Sequence, residues 1–141
     1  MERVLKESLR IYPPVPYIAR QLTENFEYEG ETIPKGTTAE IFIYDIHRDP
    51  KYFPDPEKFD PDRFLPENSI DRSNFAFIAF SAGMRNCIGQ RFAMLELKIM
   101  LTKVIKNFKV HPVTKREELR FIADVVLRTN HPVKMRFEAR N

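Results

Sequence analysis

Val4, Leu5, Leu9 and Tyr12 recur at helical spacing among charged residues, which predicts a helix over residues 1–11 that stops ahead of Pro13. No Ser, Thr, Asp or Asn caps its start, so the sequence reads as beginning inside a helix. Pro13, Pro14 and Pro16 then impose an extended path. Residues 26–28 and 32–33, joined around Glu29-Gly30, predict a hairpin, and residues 39–43 a further strand of the same small sheet. Between residues 50 and 66 five prolines alternate with Phe53, Phe59 and Phe64. That pattern is too broken for helix or ladder, and it predicts an ordered, irregular segment wrapping over something.

Residues 69–74 form a polar loop, and Phe75, Phe77, Ile78 and Phe80 an apolar run into Ser81-Ala82-Gly83, which predicts a buried loop. From residue 88 to 107 no proline intervenes. Phe92, Leu95 and Ile99, with Leu97, Leu101, Val104 and Ile105, cover a wide face of a long helix expected to be central. Short strands follow at about residues 108–111, 120–127 and 133–137, the last two separated by Thr129-Asn130-His131-Pro132. No internal repeat or low-complexity tract interrupts the series.

Composition narrows the class. The chain has 141 residues, 43% of them hydrophobic and 12% aromatic, which is enough to build a core and opposes disorder. Its net charge of +3, from 23 basic and 20 acidic residues, is too even for a nucleic-acid footprint. No apolar stretch approaches the roughly 20 residues of a membrane span and no signal peptide is visible, so the sequence as written reads as soluble. A single cysteine, Cys87, excludes an internal disulfide framework and a multi-cysteine zinc site. Two of the four glycines, Gly83 and Gly89, bracket it.

Cys87 stands at the mouth of the long predicted helix. Free N–H groups at a helix start, with Arg85 close by, suit a thiolate, and a thiolate is a ligand for soft or borderline metals, heme iron included. Gly83 allows a tight turn, and Gly89 lets a flat ring approach the helix backbone. On the cysteine alone, a small buried hydrophobe is the commoner fate. A nucleophile activated by His47 is a further reading, but no third group is there to orient the base.

The stretch Phe80-x-x-Gly83-x-Arg85-x-Cys87-x-Gly89 resembles the heme-binding signature of the cytochrome P-450 superfamily at all five positions. Its surroundings, Phe-Ser-Ala-Gly-Met-Arg-Asn-Cys-Ile-Gly-Gln-Arg-Phe-Ala-Met-Leu-Glu, are most similar to family 4. Met84 departs from the proline usual there. The resemblance implies an α+β fold, mainly α with small β-sheets, in which residues 1–141 form the C-terminal portion of the P-450 domain and are incomplete alone. It implies heme as cofactor, Cys87 as axial iron ligand, and Phe80, Gly83, Arg85 and Gly89 as heme-binding residues.

Glu7 and Arg10 stand three apart on the first helix and so share a face; alone, such a pair is usually a solvated contact. Glu7-Ser8-Leu9-Arg10 and Pro61-Asp62-Arg63-Phe64 resemble two further family motifs, which implies that Glu7, Arg10 and Arg63 form a buried structural cluster. By position Arg20 resembles a family arginine that pairs with a heme propionate, and Arg85 is implied in the same role; an exposed charge on a strand edge is the alternative for Arg20. His47 reads as structural or capping, and His111 and His131 carry no signal.

The resemblance also implies that residues 14–19, with apolar Val15, Tyr17 and Ile18, line a substrate pocket, joined by the turn near residues 122–125. Arg91, Lys98, Lys103 and Lys106 on the long helix are a candidate docking face for an acidic partner. The implied whole protein is a monooxygenase that takes O₂, a lipophilic substrate such as a fatty acid, hormone or xenobiotic, and electrons from NADPH through a cytochrome reductase. It is implied to sit on the cytosolic face of the endoplasmic reticulum membrane through an anchor outside this sequence, without nucleic acid. The present segment is expected to be inactive alone. The competing class is a non-enzymatic binding module in which Cys87 is merely buried.

Overall fold

The computed structural model describes residues 1–140. Its first helix, α1 (Glu2–Ile11), turns Leu5, Glu7, Arg10 and Ile11 inward, so its buried face mixes apolar and charged side chains. The Tyr12 N–H donates to the Ser8 carbonyl at 2.8 Å and ends the helix, and Pro13 behind it is buried.

Four short strands follow. β1 (Ile18–Gln21) pairs antiparallel with β4 (Thr38–Ile41), setting Arg20 opposite Ala39, while β2 (Phe26–Tyr28) pairs with β3 (Glu31–Ile33). The β2–β3 turn puts Glu29 at φ 50 and Gly30 at φ 84, the left-handed pair that a two-residue hairpin loop needs. One small sheet was expected here, and the structure has two, because β1 enters as a strand and takes β4 as its partner. The strand expected over residues 39–43 ends at Ile41; Ile43 instead opens the short helix α2 (Ile43–Ile46) and is buried in the core.

The proline-rich segment is ordered and irregular, as the sequence implies. A 3-10 turn at Pro61–Phe64 packs on α1, and the Asp60 carboxylate accepts the Asp62 N–H at 3.1 Å to start it. Beneath lies the core: Leu5, Ile11, Ile43, Phe53, Ala76, Ile78 and Ala79 are buried beside Glu7, Arg10 and His47. Phe53, Phe64 and Phe77 form its aromatic part, with the Arg72 guanidinium over the rings of Phe53 and Phe64 at 5.0 and 4.9 Å.

The C-terminal part is built differently. Helix α3 (Gln90–Asn107) leads into β5 (Phe108–Pro112), which pairs with β8 (Met135–Ala139), and β6 (Phe121–Ala123) pairs with β7 (Leu127–Thr129). The single strand expected over residues 120–127 is thus a hairpin arm and its turn, with Asp124 in the bend. The expectation of a central long helix is also corrected, since α3 has no buried residue. Its apolar side chains are spread around the helix, more surface than the α1 and β5 contacts can cover.

The buried charges organise the first half. Arg10 donates to both carboxylate oxygens of Glu7 (Nε to Oε2 2.7 Å, Nη2 to Oε1 2.9 Å), to the His47 carbonyl at 2.9 Å and to the Lys58 carbonyl at 3.2 Å. Glu7 Oε1 also accepts the Asp60 N–H at 2.8 Å and lies 3.5 Å from Arg63 Nε, an ion-pair distance without hydrogen-bond geometry. Helix α1, the end of α2 and the proline-rich segment therefore meet at one ion pair. Arg63 instead donates Nη2 to the Asp55 carbonyl at 2.9 Å.

His47 is fully buried, caps α2 and accepts the Ile78 N–H on Nε2 at 2.9 Å, the structural role expected of it. That bond places the ring proton on Nδ1. Burial pushes the imidazole down from 6.5 to about 4.

Two predictions follow from these contacts. Replacing Glu7 by Ala leaves Arg10 charged and buried without its partner, and should cost about 3–5 kcal/mol of stability in denaturant unfolding; a loss within the range of surface substitutions would show that the pair does not organise the core. The second concerns pH. The unfolded chain takes up the His47 proton near 6.5 and the folded one near 4, so the contribution of the neutral ring is complete above about pH 6.5 and falls as pH drops toward 4. The total is at most about 3 kcal/mol. The unfolding midpoint of the parent should decline through this window more steeply than that of H47Q; parallel curves would refute the assignment.

Candidate functional site

The loop ahead of α3 is shaped by its backbone. The Ser81 N–H donates to the Ile78 carbonyl at 2.8 Å, Ser81 sits at φ 62 and Gly83 at φ 73. A 3-10 turn at Gly83–Arg85 follows, closed by the Asn86 N–H on the Gly83 carbonyl at 3.1 Å. The Cys87 N–H then returns to the Phe80 carbonyl at 2.9 Å and shuts the loop. The left-handed Gly83 is the turn that the sequence assigns to a glycine.

Cys87 is exposed, as are Met84 and Ile88 on either side, so the expected buried loop is an open one. It packs on one side only, where Ala79 joins the core, and its outer side is turned to solvent. The reading of Cys87 as a small buried hydrophobe is overturned with it. A nucleophile activated by His47 fares no better, because the His47 ring is sealed in the core and its Nε2 is occupied by Ile78.

The Cys87 thiol borders a cavity of about 390 Å³, floored by Leu9, Val15, Ile18 and Phe80 and flanked by Arg20 and Arg85. Arg20 reaches it from β1, donating Nη2 to Ser81 Oγ at 3.3 Å and Nη1 to the Ala19 carbonyl at 2.8 Å. Nothing in the sequence pattern marks the Ser81 contact, which needs β1 and the loop to be adjacent. Tyr17 departs from expectation. It lines a second cavity, also about 390 Å³, with Phe42, Phe121 and Ala123, its ring centroid 6.0 Å from that of Phe42. Alternation along the extended chain sends Ile18 and Arg20 to one face and their neighbours to the other. Of the turn near residues 122–125, Ala123 borders this second cavity while Val125 is exposed.

Among the described residues no three His, Cys, Asp or Glu side chains converge to hold a metal ion. A metal at Cys87 would draw its other ligands from a prosthetic group. The surroundings fit a flat, apolar one bearing acidic groups: a sulfur donor open to space, an apolar floor and two guanidinium groups. A Cβ built on Gly89 would meet only the Cys87 sulfur, at 3.8 Å, so it would fill space beside the donor that this chain leaves free.

On α3, Lys98 is held by Glu2 of α1 at 2.8 Å. Lys103 and Lys106 border a groove with it, and Arg91 lies beside Lys98 nearer the loop. Arg72, which the motifs do not single out, also buttresses the cluster, donating to the Arg63 carbonyl at 2.9 Å and to Ser69 Oγ at 2.8 Å.

The family profile described as "Cytochrome P450" matches residues 1–137. The probable cytochrome P450 4ac1 of Drosophila melanogaster is 52% identical over 140 residues, covering 99% of this chain and 28% of that protein. Cytochrome P450 4V2 of Rattus norvegicus is 48% identical over 141 residues, 100% of this chain and 27% of that one. The chain thus spans little more than a quarter of the length of these relatives. Among solved structures, the retinoic acid-bound cyanobacterial CYP120A1 superposes with a TM-score of 0.89 at 33% identity, over 98% of this chain and 32% of that one.

Proposed function

From the premise that this chain belongs to the cytochrome P450 family, and is family 4-like within it, we propose that it is the heme-ligating C-terminal portion of a heme-thiolate monooxygenase acting on a lipophilic substrate. The observation that carries this reading is the open Cys87 thiol beside an apolar cavity flanked by Arg20 and Arg85. Bound there, heme would supply the oxygen-activating centre of a reaction that puts one atom of O₂ into the substrate and, with two electrons and two protons, releases the other as water.

The residues of this chain hold and orient it. Cys87 would ligate the heme iron through its thiolate, and Phe80, Gly83 and Gly89 shape the loop and leave free the space beside the sulfur. Arg20 and Arg85 would hold its propionates, each offering a planar fork of donors to a carboxylate. Glu7, Arg10 and Arg63 do no chemistry; they fix the platform under the loop.

Val15 and Ile18 at the same cavity form the apolar edge available to a substrate, with Tyr17 behind them on the other face. A fatty acid, hormone or xenobiotic suits such a wall, and the CYP120A1 structure has retinoic acid bound. No helix of the described residues is long and apolar enough to cross a membrane, and placement at the endoplasmic reticulum belongs to the proposed whole protein. Electrons arrive from NADPH through a reductase that docks on Arg91, Lys103 and Lys106, with Lys98 partly neutralised by Glu2.

In the full-length protein the reduced carbon-monoxide complex should show a thiolate-shifted Soret band that Cys87→Ala abolishes; a C87A variant that keeps the shifted band would sink the assignment. Charge reversal at Lys103 and Lys106 should slow reductase-driven turnover and weaken its dependence on ionic strength, whereas unchanged turnover would remove the docking face.

A further inference from the structure

We propose that His47 is a positioning residue for the Cys87 loop, holding the start of the loop at Ile78 through Nε2 while its own carbonyl is held by the buried Arg10. The inference deepens the heme-thiolate reading and rests on it. Its observations are independent of that reading.

An unbroken series of contacts runs from the ion pair to the cysteine. Arg10 binds the His47 carbonyl at 2.9 Å, His47 Nε2 accepts the Ile78 N–H at 2.9 Å, and the Ile78 carbonyl accepts the Ser81 N–H at 2.8 Å. Ser81 then receives Arg20 from the cavity at 3.3 Å, and Phe80 between them accepts the Cys87 N–H at 2.9 Å. The imidazole stacks on Phe77 at 5.0 Å, and Phe77 meets Phe64 edge-on at 4.9 Å, so the ring cannot swing away.

Filling the space does not require a histidine. Nδ1 is buried and has no partner among the described residues, a cost that a phenyl ring would avoid. What a phenyl ring lacks is an acceptor for the Ile78 N–H, which is buried with its residue and has no other partner. The neutral imidazole is kept through the ordinary pH range because burial opposes its protonation. Since Ile78 precedes the left-handed turn at Ser81, releasing its N–H frees the point from which the loop departs. The loss would appear as a looser cysteine before it appeared as an unfolded protein.

The test uses the full-length, heme-loaded protein with H47F, which keeps the ring and removes the acceptor, and H47Q, which keeps an acceptor at similar reach. Amide hydrogen exchange over residues 76–88 and the reduced carbon-monoxide Soret band are read at matched unfolding midpoints. H47F should accelerate exchange at Ile78 and Cys87 by roughly tenfold or more and move part of the Soret intensity to the unshifted position, with H47Q close to the parent in both. Should H47F fail to fold, H47N, whose carbonyl falls short of the Ile78 N–H, takes its place in the same comparison. An acceptor-less variant that exchanges and absorbs like the parent would overturn the proposal, as would H47Q impaired to the same degree as H47F. A C87A variant that keeps the shifted band would instead strike the heme-thiolate reading, leaving the exchange comparison to decide the role of His47.

Discussion

The structure depends on a carboxylate and a guanidinium placed where neither meets water. Glu7 and Arg10 are both fully buried, and such burial is tolerable only when nearly every polar atom finds a partner. The partners supply the architecture: the Asp60 N–H and the Lys58 carbonyl from the proline-rich segment, and the carbonyl of His47 after α2. The apolar core around the pair is small, with Phe53, Ile11 and Ile43 as its largest buried apolar side chains. Geometry here is set more by directional bonds than by close-packed volume.

That division of labour explains the two halves of the chain. Where charged hydrogen bonds converge, an irregular segment is held in one conformation without regular secondary structure. Where they do not, from α3 onward, a regular helix and paired strands form but none of their residues is buried. Helix α3 is continuous for 18 residues on local hydrogen bonds, and its wide apolar surface is left for contacts beyond α1 and β5.

Much of the platform was legible in the sequence. Helical spacing marked α1, Pro13 marked its end, Glu29-Gly30 marked a hairpin, and the spacing around Cys87 marked the loop and the start of α3. What stayed hidden depends on residues far apart in the chain. Nothing local separates a buried Glu7–Arg10 pair from a solvated one, since both use the same three-residue spacing. Ile43 has strand propensity, yet packing against the core ends β4 and starts α2. An apolar run shows an appetite for contact without showing whether a contact surface exists: Phe75 is exposed while Ile78 nearby is buried. Tyr17 went to a different cavity from Ile18 by strand alternation, legible only once β1 is known to be a strand.

The route from Arg10 to the cysteine also dictates an order of events as the chain folds. Arg10 must meet the carbonyl of a residue 37 positions away, Glu7 the N–H of one 53 positions away, and His47 the N–H of one 31 positions away. The entropy of closing such loops grows slowly with length, yet contacts of this separation form later than helices and tight hairpins. α1 and the β2–β3 hairpin can assemble from their own neighbours, whereas the seat of Cys87 exists only after residues 7, 10, 47, 60 and 78 have found one another. The thiol therefore spends the early life of the chain on an unanchored segment, and the stage at which it becomes a fixed donor is set by the slowest of these closures.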